Sequence, residues 1–287
     1  MTRPLIEDIS DTARWVAYYR ALESERPDAI FRDPFARRLA GARGEDIVRS
    51  LPGARAITWA IVVRTRVMDD TILSAIERDG VDVVLSLAAG LDTRPYRLTL
   101  PPGLRWIEAD LPPLIADKAR LLAGEPPRCA LETVAIDLAD AAARRALFDR
   151  VGGRRVLVLT EGLLGYLDRR EVGQLGDDMH AQPSFQYWVT ALFSPWIVKR
   201  RQREWGSALK AANSEIRFAP AEGPAFFRPH GWELGDYRSF FVEGRRLQRR
   251  PWYFSLVAPL THIPALREPI LRSAGVITLR RAQRTES

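Results

Sequence analysis

Large apolar residues recur at helical spacing in DTARWVAYYRALESERPD, where Trp15, Tyr19 and Leu22 align, so residues 11 to 28 read as an amphipathic helix ended by Pro27. DPFARRLAG, residues 33 to 41, reads as a short helix with Pro34 at its first position and Gly41 as its stop. A third helix is expected over residues 54 to 80, closing at Gly80. From Val81 the pattern changes to apolar runs rich in β-branched residues: VDVVLSL (81 to 87), LRWIEAD (104 to 110), LETVAID (131 to 137), RRVLVLTEG (154 to 162) and SFQYWVTALF (184 to 193). Helical patterns separate them. PPLIADKARLLAG starts on proline and stops at Gly124, and DAAARRALFDRV sets Ala143, Leu147 and Val151 on one face. DRREVGQLGDDM places Asp168 and Glu171 in capping-box spacing and aligns Val172, Leu175 and Met179.

Alternating strands and helices predict an α/β fold, with a mostly parallel sheet, helices on both faces and right-handed crossovers. Ligands of such sheets bind at the carboxyl ends of the strands. Those ends fall at Ala88, Ala89 and Gly90 for the first strand, at Asp110 for the second, Asp137 for the third and Glu161 for the fourth. Each acid alone could serve as a helix N-cap or a surface charge, Asp137 above all because a helix follows it. Three acids at one edge suggest a shared ligand.

Composition narrows the class. A chain of 287 residues with 46% hydrophobic and 28% charged content can bury a substantial core. No apolar run is long enough for a membrane span, and MTRPLIEDIS lacks the pattern of a signal peptide, so a cytoplasmic protein is expected. Cys129 is the single cysteine, and His180, His230 and His262 have no metal-ligand spacing, so neither an intrachain disulfide nor a metal is expected. The net charge of +7 is spread along the chain, its densest cluster being IVKRRQREW (197 to 205), which reads as a solvated face.

The loop AAGLDTRP after the first strand decides between nucleotide cofactors. An acid 20 residues beyond Gly90 can accept both ribose hydroxyls of an adenosine group, and that is common to NAD and S-adenosylmethionine. A pyrophosphate additionally needs the close backbone approach of G-x-G-x-x-G, and this loop has one glycine. S-adenosylmethionine carries no phosphate and suits the strand-end acids better.

The loop and its surroundings resemble the leucine carboxyl methyltransferase-like family of class I S-adenosylmethionine enzymes. LAAGLDTRPYRL is similar to that family's G-x-G-L-D-T-R-x-x-R-L signature, and the resemblance extends to residues 15 to 41, 62 to 70, 106 to 122, 135 to 140 and 160 to 167. It implies a Rossmann-like methyltransferase domain over 1 to 287: a helical N-terminal cover (1 to 80), a cofactor-binding core (81 to 193), a helical lid insertion after the fifth strand (194 to 229) and the last strands (230 to 287). HGWELGDYRSF (230 to 240) and GVITLRRAQ (275 to 283) would complete a seven-stranded sheet. For the cofactor, the resemblance implies that Arg64 meets its carboxylate and Gly90 lines the methionine end. Asp110 would hold the ribose, Asp137 and Leu138 would flank the adenine, and Glu161 would sit beside the methionine portion. Ala88 departs from the signature, which has glycine there. Asp92 and Arg94 match the family and read as braces of the loop.

The implied activity is O-methyl transfer to a carboxylate or hydroxyl of a small molecule, or to a terminal carboxyl group, in the manner of secondary metabolism. A hydroxyl acceptor would benefit from a base, for which His230, Tyr166 and Tyr19 are candidates, whereas a carboxylate needs none. Trp196, Trp205, Phe218, Phe226 and Phe227 could line the acceptor pocket or pack the lid against the sheet. Two alternatives stand beside this reading: a nucleic-acid methyltransferase, suggested by the charge, and a non-catalytic cofactor-binding regulator, suggested by Ala88. The motifs of amino-methylating and cytosine C5 enzymes are missing, so nucleic acid is not an expected partner, nor is a membrane. The chain would act as a monomer or homodimer.

Overall fold

A computed structural model of the chain describes residues 9 to 50, 53 to 152, 155 to 211 and 216 to 282, without the side chains of Ile9 and 205 to 211. Helix α1 (Ile9–Ser24) stops three residues before the expected Pro27. Helix α2 (Ala36–Ser50) begins beyond Pro34, which lies in the preceding turn. Gly41, expected as its stop, is instead a kink with φ 57° and ψ −171°, after which the helix resumes. The second half is retained because Ile47 and Val48 pack with Trp15, Tyr19 and Leu39 between α1 and α2. Helix α3 (Thr58–Asp79) follows a 3-10 turn and closes, as expected, on Gly80 in the left-handed region.

The sheet follows. Strands β1 (Val83–Leu87), β2 (Arg105–Asp110), β3 (Ala130–Ala135), β4 (Val156–Thr160) and β5 (Phe185–Phe193) fall inside or within a residue of their predicted segments. They alternate with α4 (Arg94–Arg97), α5 (Pro112–Leu121), α6 (Ala141–Val151) and α7 (Arg169–His180). The capping box of α7 is formed on both sides by Asp168 and Glu171. After β5 come α8 (Pro195–Ala211), a 3-10 helix (Gly223–His230) and β6 (Trp232–Ser239). The chain then runs through α9 (Phe240–Arg246), α10 (Phe254–Val257), a 3-10 turn and α11 (Pro264–Leu271), which the sequence reading did not assign, to β7 (Ala274–Arg281). Arg154 and Gln283, at the ends of two predicted strands, lie outside the described residues.

The seven strands run in the order β3-β2-β1-β4-β5-β7-β6. All neighbours from β3 to β5 pair parallel, and β7 pairs antiparallel with both β5 and β6. This is the expected Rossmann-like sheet. β1 and β4 are buried along their whole length, which explains their largely apolar runs, broken by Ser86 in β1 and closed by Thr160 in β4. Their side chains alternate between two cores. Val83, Leu85, Val156 and Val158 face α6 and α7, while Val84, Leu157 and Leu159 face α3 and α9. The chain leaves β1 to one side for β2 and β3, then returns to its other side for β4. The β1/β4 carboxyl edge is therefore the switch point at which such sheets open a crevice.

Candidate active site

Two adjoining cavities lie over that edge. The smaller, about 700 Å³, is lined by all seven residues singled out from the sequence: Arg64, Ala88, Gly90, Asp110, Asp137, Leu138 and Glu161. The larger, about 1180 Å³, lies under α8 and α10, with aromatic walls that include Trp15, Trp59, Phe193, Phe240 and Tyr253. Thr12, Val16, Arg64, Gly162 and Tyr166 border both, so the cavities meet there.

Asp110 is held at the β1/β2 edge by two backbone donors. Its Oδ2 accepts the Gly90 N–H at 2.6 Å and its Oδ1 the Leu111 N–H at 2.7 Å. Burial pushes its pKa up, and the two N–H groups oppose that. Each oxygen keeps a lone pair, so the carboxylate can still accept two hydroxyls. Gly90 itself has φ +52°, and a Cβ there would meet only Ala13 at an ordinary 3.6 Å, so glycine is required by conformation rather than by space. Asp137 is exposed and accepts the Ala139 N–H at 2.9 Å, while the Leu138 carbonyl accepts from Arg144 at 2.6 Å.

Ala88 has φ 54°, one of two described residues other than glycine in the left-handed region. An alanine there costs about 1 kcal/mol more than glycine, because its Cβ crowds the following carbonyl. Strain of this kind concentrates at ligand sites. Ala88→Gly is expected to raise the melting temperature by about 2–4 °C, measured by calorimetry; an unchanged or lower midpoint would show that the surroundings absorb the strain.

Glu161 joins the acid edge to the helices. Its Oε1 meets Arg64 Nη2 at 2.8 Å and its Oε2 accepts from Arg94 at 2.7 Å. Burial raises the carboxyl's pKa, but the Arg94 and Arg64 guanidiniums outweigh it and hold the group down to about 2. Arg64 therefore points at Glu161. Its Nε is buried without a hydrogen-bond partner among the described residues, which leaves a donor for an anionic ligand group.

Arg94 is 2% exposed and braces the whole loop. It donates to Asp69 at 2.7 Å and Asp92 at 2.7 Å besides Glu161, and Arg97 adds two bonds to Asp69. Farther along, Arg20 binds Asp33 at 2.8 Å and the Leu91 carbonyl at 2.6 Å, and Thr93 donates to Asp33 at 2.7 Å. Arg20, Asp33, Asp69 and Arg97 carry no role in the sequence reading, although all lie in segments that resemble the family. Their signal was charge on otherwise apolar helical faces or beside a turn.

The three candidate bases separate. His230 hydrogen-bonds Asp177 at 2.8 Å beside α7 and lines neither cavity. Tyr19 lines the larger cavity, but its hydroxyl donates to the Ala54 carbonyl at 2.6 Å and burial pushes its pKa far up. Tyr166 stands at the junction, bonded to Thr12, and burial raises its pKa too. Of the lid aromatics, Trp196 borders the larger cavity. Phe218, Phe226 and Phe227 pack instead on Trp188 and Trp232 in the core, and the Trp205 side chain lies outside the described residues.

Known proteins resemble this chain in sequence and in fold. The family model described as leucine carboxyl methyltransferase matches residues 13 to 180. A protein of Mycobacteroides abscessus named "Putative S-adenosyl-L-methionine-dependent methyltransferase" is 38% identical over 176 residues, 57% of this chain and 56% of its own length. One of the same name from Mycobacterium sp. strain KMS is 33% identical over 273 residues, 88% of this chain and 85% of its own. The matched stretches span only 56% to 65% of the first three relatives' lengths. The crystal structure of a DUF574 family protein from Streptomyces avermitilis shares the fold, with a TM-score of 0.60 at 17% identity over 94% of this chain and 97% of that one.

Proposed function

Because the chain belongs to the leucine carboxyl methyltransferase family, we propose that it transfers a methyl group from S-adenosyl-L-methionine to a carboxylate oxygen of a bulky apolar small molecule. The smaller cavity takes the cofactor. Asp110 holds the ribose hydroxyls, Asp137 and Leu138 flank the adenine, and the Arg64 guanidinium, steadied by Glu161, receives the carboxylate beside Gly90 and Ala88. When bound, the cofactor supplies an electrophilic methyl on a sulfonium. The larger cavity takes the acceptor, and its aromatic walls favour a ring-bearing or branched molecule over a polar peptide.

The observation that carries the carboxylate reading is the junction of the two cavities. Its polar side chains are Thr12, Arg64 and Tyr166. None is a base at neutral pH, since burial keeps the Tyr166 phenol protonated and Arg64 is a permanent cation. A hydroxyl acceptor would need its proton removed there. A carboxylate arrives ionised and requires only alignment and exclusion of water. Trp59 Nε1 and Tyr237 Oη, buried in residues of the same cavity without partners among the described residues, are donors for a second polar atom of the acceptor.

Incubation with labelled cofactor and matched aromatic carboxylic acids and phenols tests this. Label should pass to the acids as base-labile esters, at a rate level between about pH 6 and 9, because no group at the junction titrates in that range. Transfer to phenols alone, rising with pH, would overturn the carboxylate assignment.

A further inference from the structure

The mouth of the larger cavity carries a surface that methyl transfer does not use. Trp252 and Leu256 are 79% and 66% exposed, and Leu260, Ile263 and Leu266 are exposed along the same stretch. Pro251, Pro259, Pro264 and Pro269 break this stretch into short helical turns that present apolar tips rather than a continuous groove. Tyr253, Phe254, Val257 and Ile270 of the same stretch line the cavity, so its outer face is apolar and its inner face is the cavity wall. Across the mouth stands the start of α8, with Trp196 63% exposed and the basic cluster that follows it.

Charge says what such a surface would meet. Residues 240 to 272 hold six arginines (245, 246, 249, 250, 267 and 272) against two glutamates (243 and 268), a net +4. Arg249 is consumed by a buried pair with Glu23, and Arg246 and Arg272 pair with Glu243 and Glu268. Arg245, Arg250 and Arg267 are exposed with no ion pair among the described residues, as are Lys199 and Arg203 on α8. A second copy of the chain would bring the same positive charge against this one, which disfavours self-association. Exposed tryptophan and aliphatic tips among free arginines match the headgroup region of an anionic bilayer, where the ring sits at the interface and the cations meet phosphates.

We propose that this surface docks on anionic lipid bilayers and opens the apolar cavity toward them. Docking at an interface needs no spanning segment, and no described helix is long and apolar enough to cross a membrane. The inference concerns binding of the protein itself and is read without cofactor or acceptor, so it stands or falls apart from the methyl-transfer reading.

The experiment is cosedimentation of the full chain with vesicles of phosphatidylcholine alone or with added phosphatidylglycerol. The protein should partition into the anionic vesicles and lose binding as salt rises. Arg250→Gln with Arg267→Gln should weaken that partition by about 25-fold, roughly fivefold per arginine, and Trp252→Ala with Leu256→Ser should weaken it too. Arg49→Gln with Arg78→Gln, the same charge removed from other exposed positions, should have a much smaller effect. Equal effects of the two arginine pairs, or no partition into anionic vesicles, would overturn the proposal. So would a dimer in sedimentation velocity that Trp252→Ala dissociates, since a second copy would then cover the surface.

Discussion

Asp110→Ala is expected to weaken S-adenosyl-L-methionine binding by more than a hundredfold, measured by calorimetric titration, while the chain remains folded. The carboxylate is one short side chain with two tasks. Its oxygens already fix the Gly90 and Leu111 N–H groups, and in the proposed cofactor pose their remaining lone pairs accept the two ribose hydroxyls. Hydrogen bonds to a charged group contribute about 1.5–3 kcal/mol each. Losing two of them costs about 3 kcal/mol or more, which is the predicted factor. The positive φ of Gly90 loses its clamp at the same time, so the loop after β1 is loosened as well. Asp110→Asn should do little better, because its NH₂ group would face one of the two backbone donors. Burial has raised the Asp110 pKa, so acidification should weaken cofactor binding earlier than an ordinary aspartate would allow. Unaltered affinity in Asp110→Ala would remove the cofactor from this edge.

The strand ends that carry this prediction are visible in the sequence because the central strands are buried on both faces. Such strands are mostly apolar, the exceptions being Ser86 in β1 and the Lys118-paired Glu108 in β2, and an acid that closes the run marks the edge where a ligand binds. The boundary of α2 was less legible. Gly41 takes a positive φ and breaks the helical backbone, yet Ile47 and Val48 find partners on α1, and that packing carries the helix past the kink. The helices between β6 and β7 are short and interrupted by proline, so no period develops over them. Asp92 and Arg94 read as braces of the signature loop, but partners distant in the chain were not legible. Thr93 bonds Asp33, 60 residues away, and Arg249 bonds Glu23, 226 residues away. No local pattern encodes such pairs. Aromatic residues in the lid are ambiguous in the same way, since sequence does not say which face a ring presents. Phe226 and Phe227 turned to the core, and Trp196 to the mouth of the cavity.

Arg94 shows how much stability rests on that bracing. Arg94→Met keeps most of the side chain's volume but removes the one cation shared by Asp69, Asp92 and Glu161. Asp69 would retain Arg97, and Glu161 would retain Arg64. Asp92 would lose the only ion pair described for it, in a site where burial raises its pKa and Arg94 is the largest influence holding it down. Breaking a buried pair by removing one partner costs about 3–5 kcal/mol, because the remaining charge is left without compensation. For a chain of this size the melting temperature should fall by about 10 °C. Arg94→Lys should recover little, since one ammonium cannot reach three carboxylates that the planar fork contacts from two nitrogens, Nε to Asp69 and Nη1 to both Asp92 and Glu161. The pH dependence distinguishes this account from simple loss of packing. In the folded protein, Glu161 and Asp92 have depressed pKa values, so their contribution is complete above the unfolded carboxylate range near pH 4.5. It is lost as pH falls toward about 2, where Glu161 takes up its proton. The stability gap between the parent and Arg94→Met, followed by urea unfolding, should therefore be widest at neutral pH and narrow through the acid limb. A gap of the same size at every pH would mean that Arg94 acts through its bulk rather than its charge.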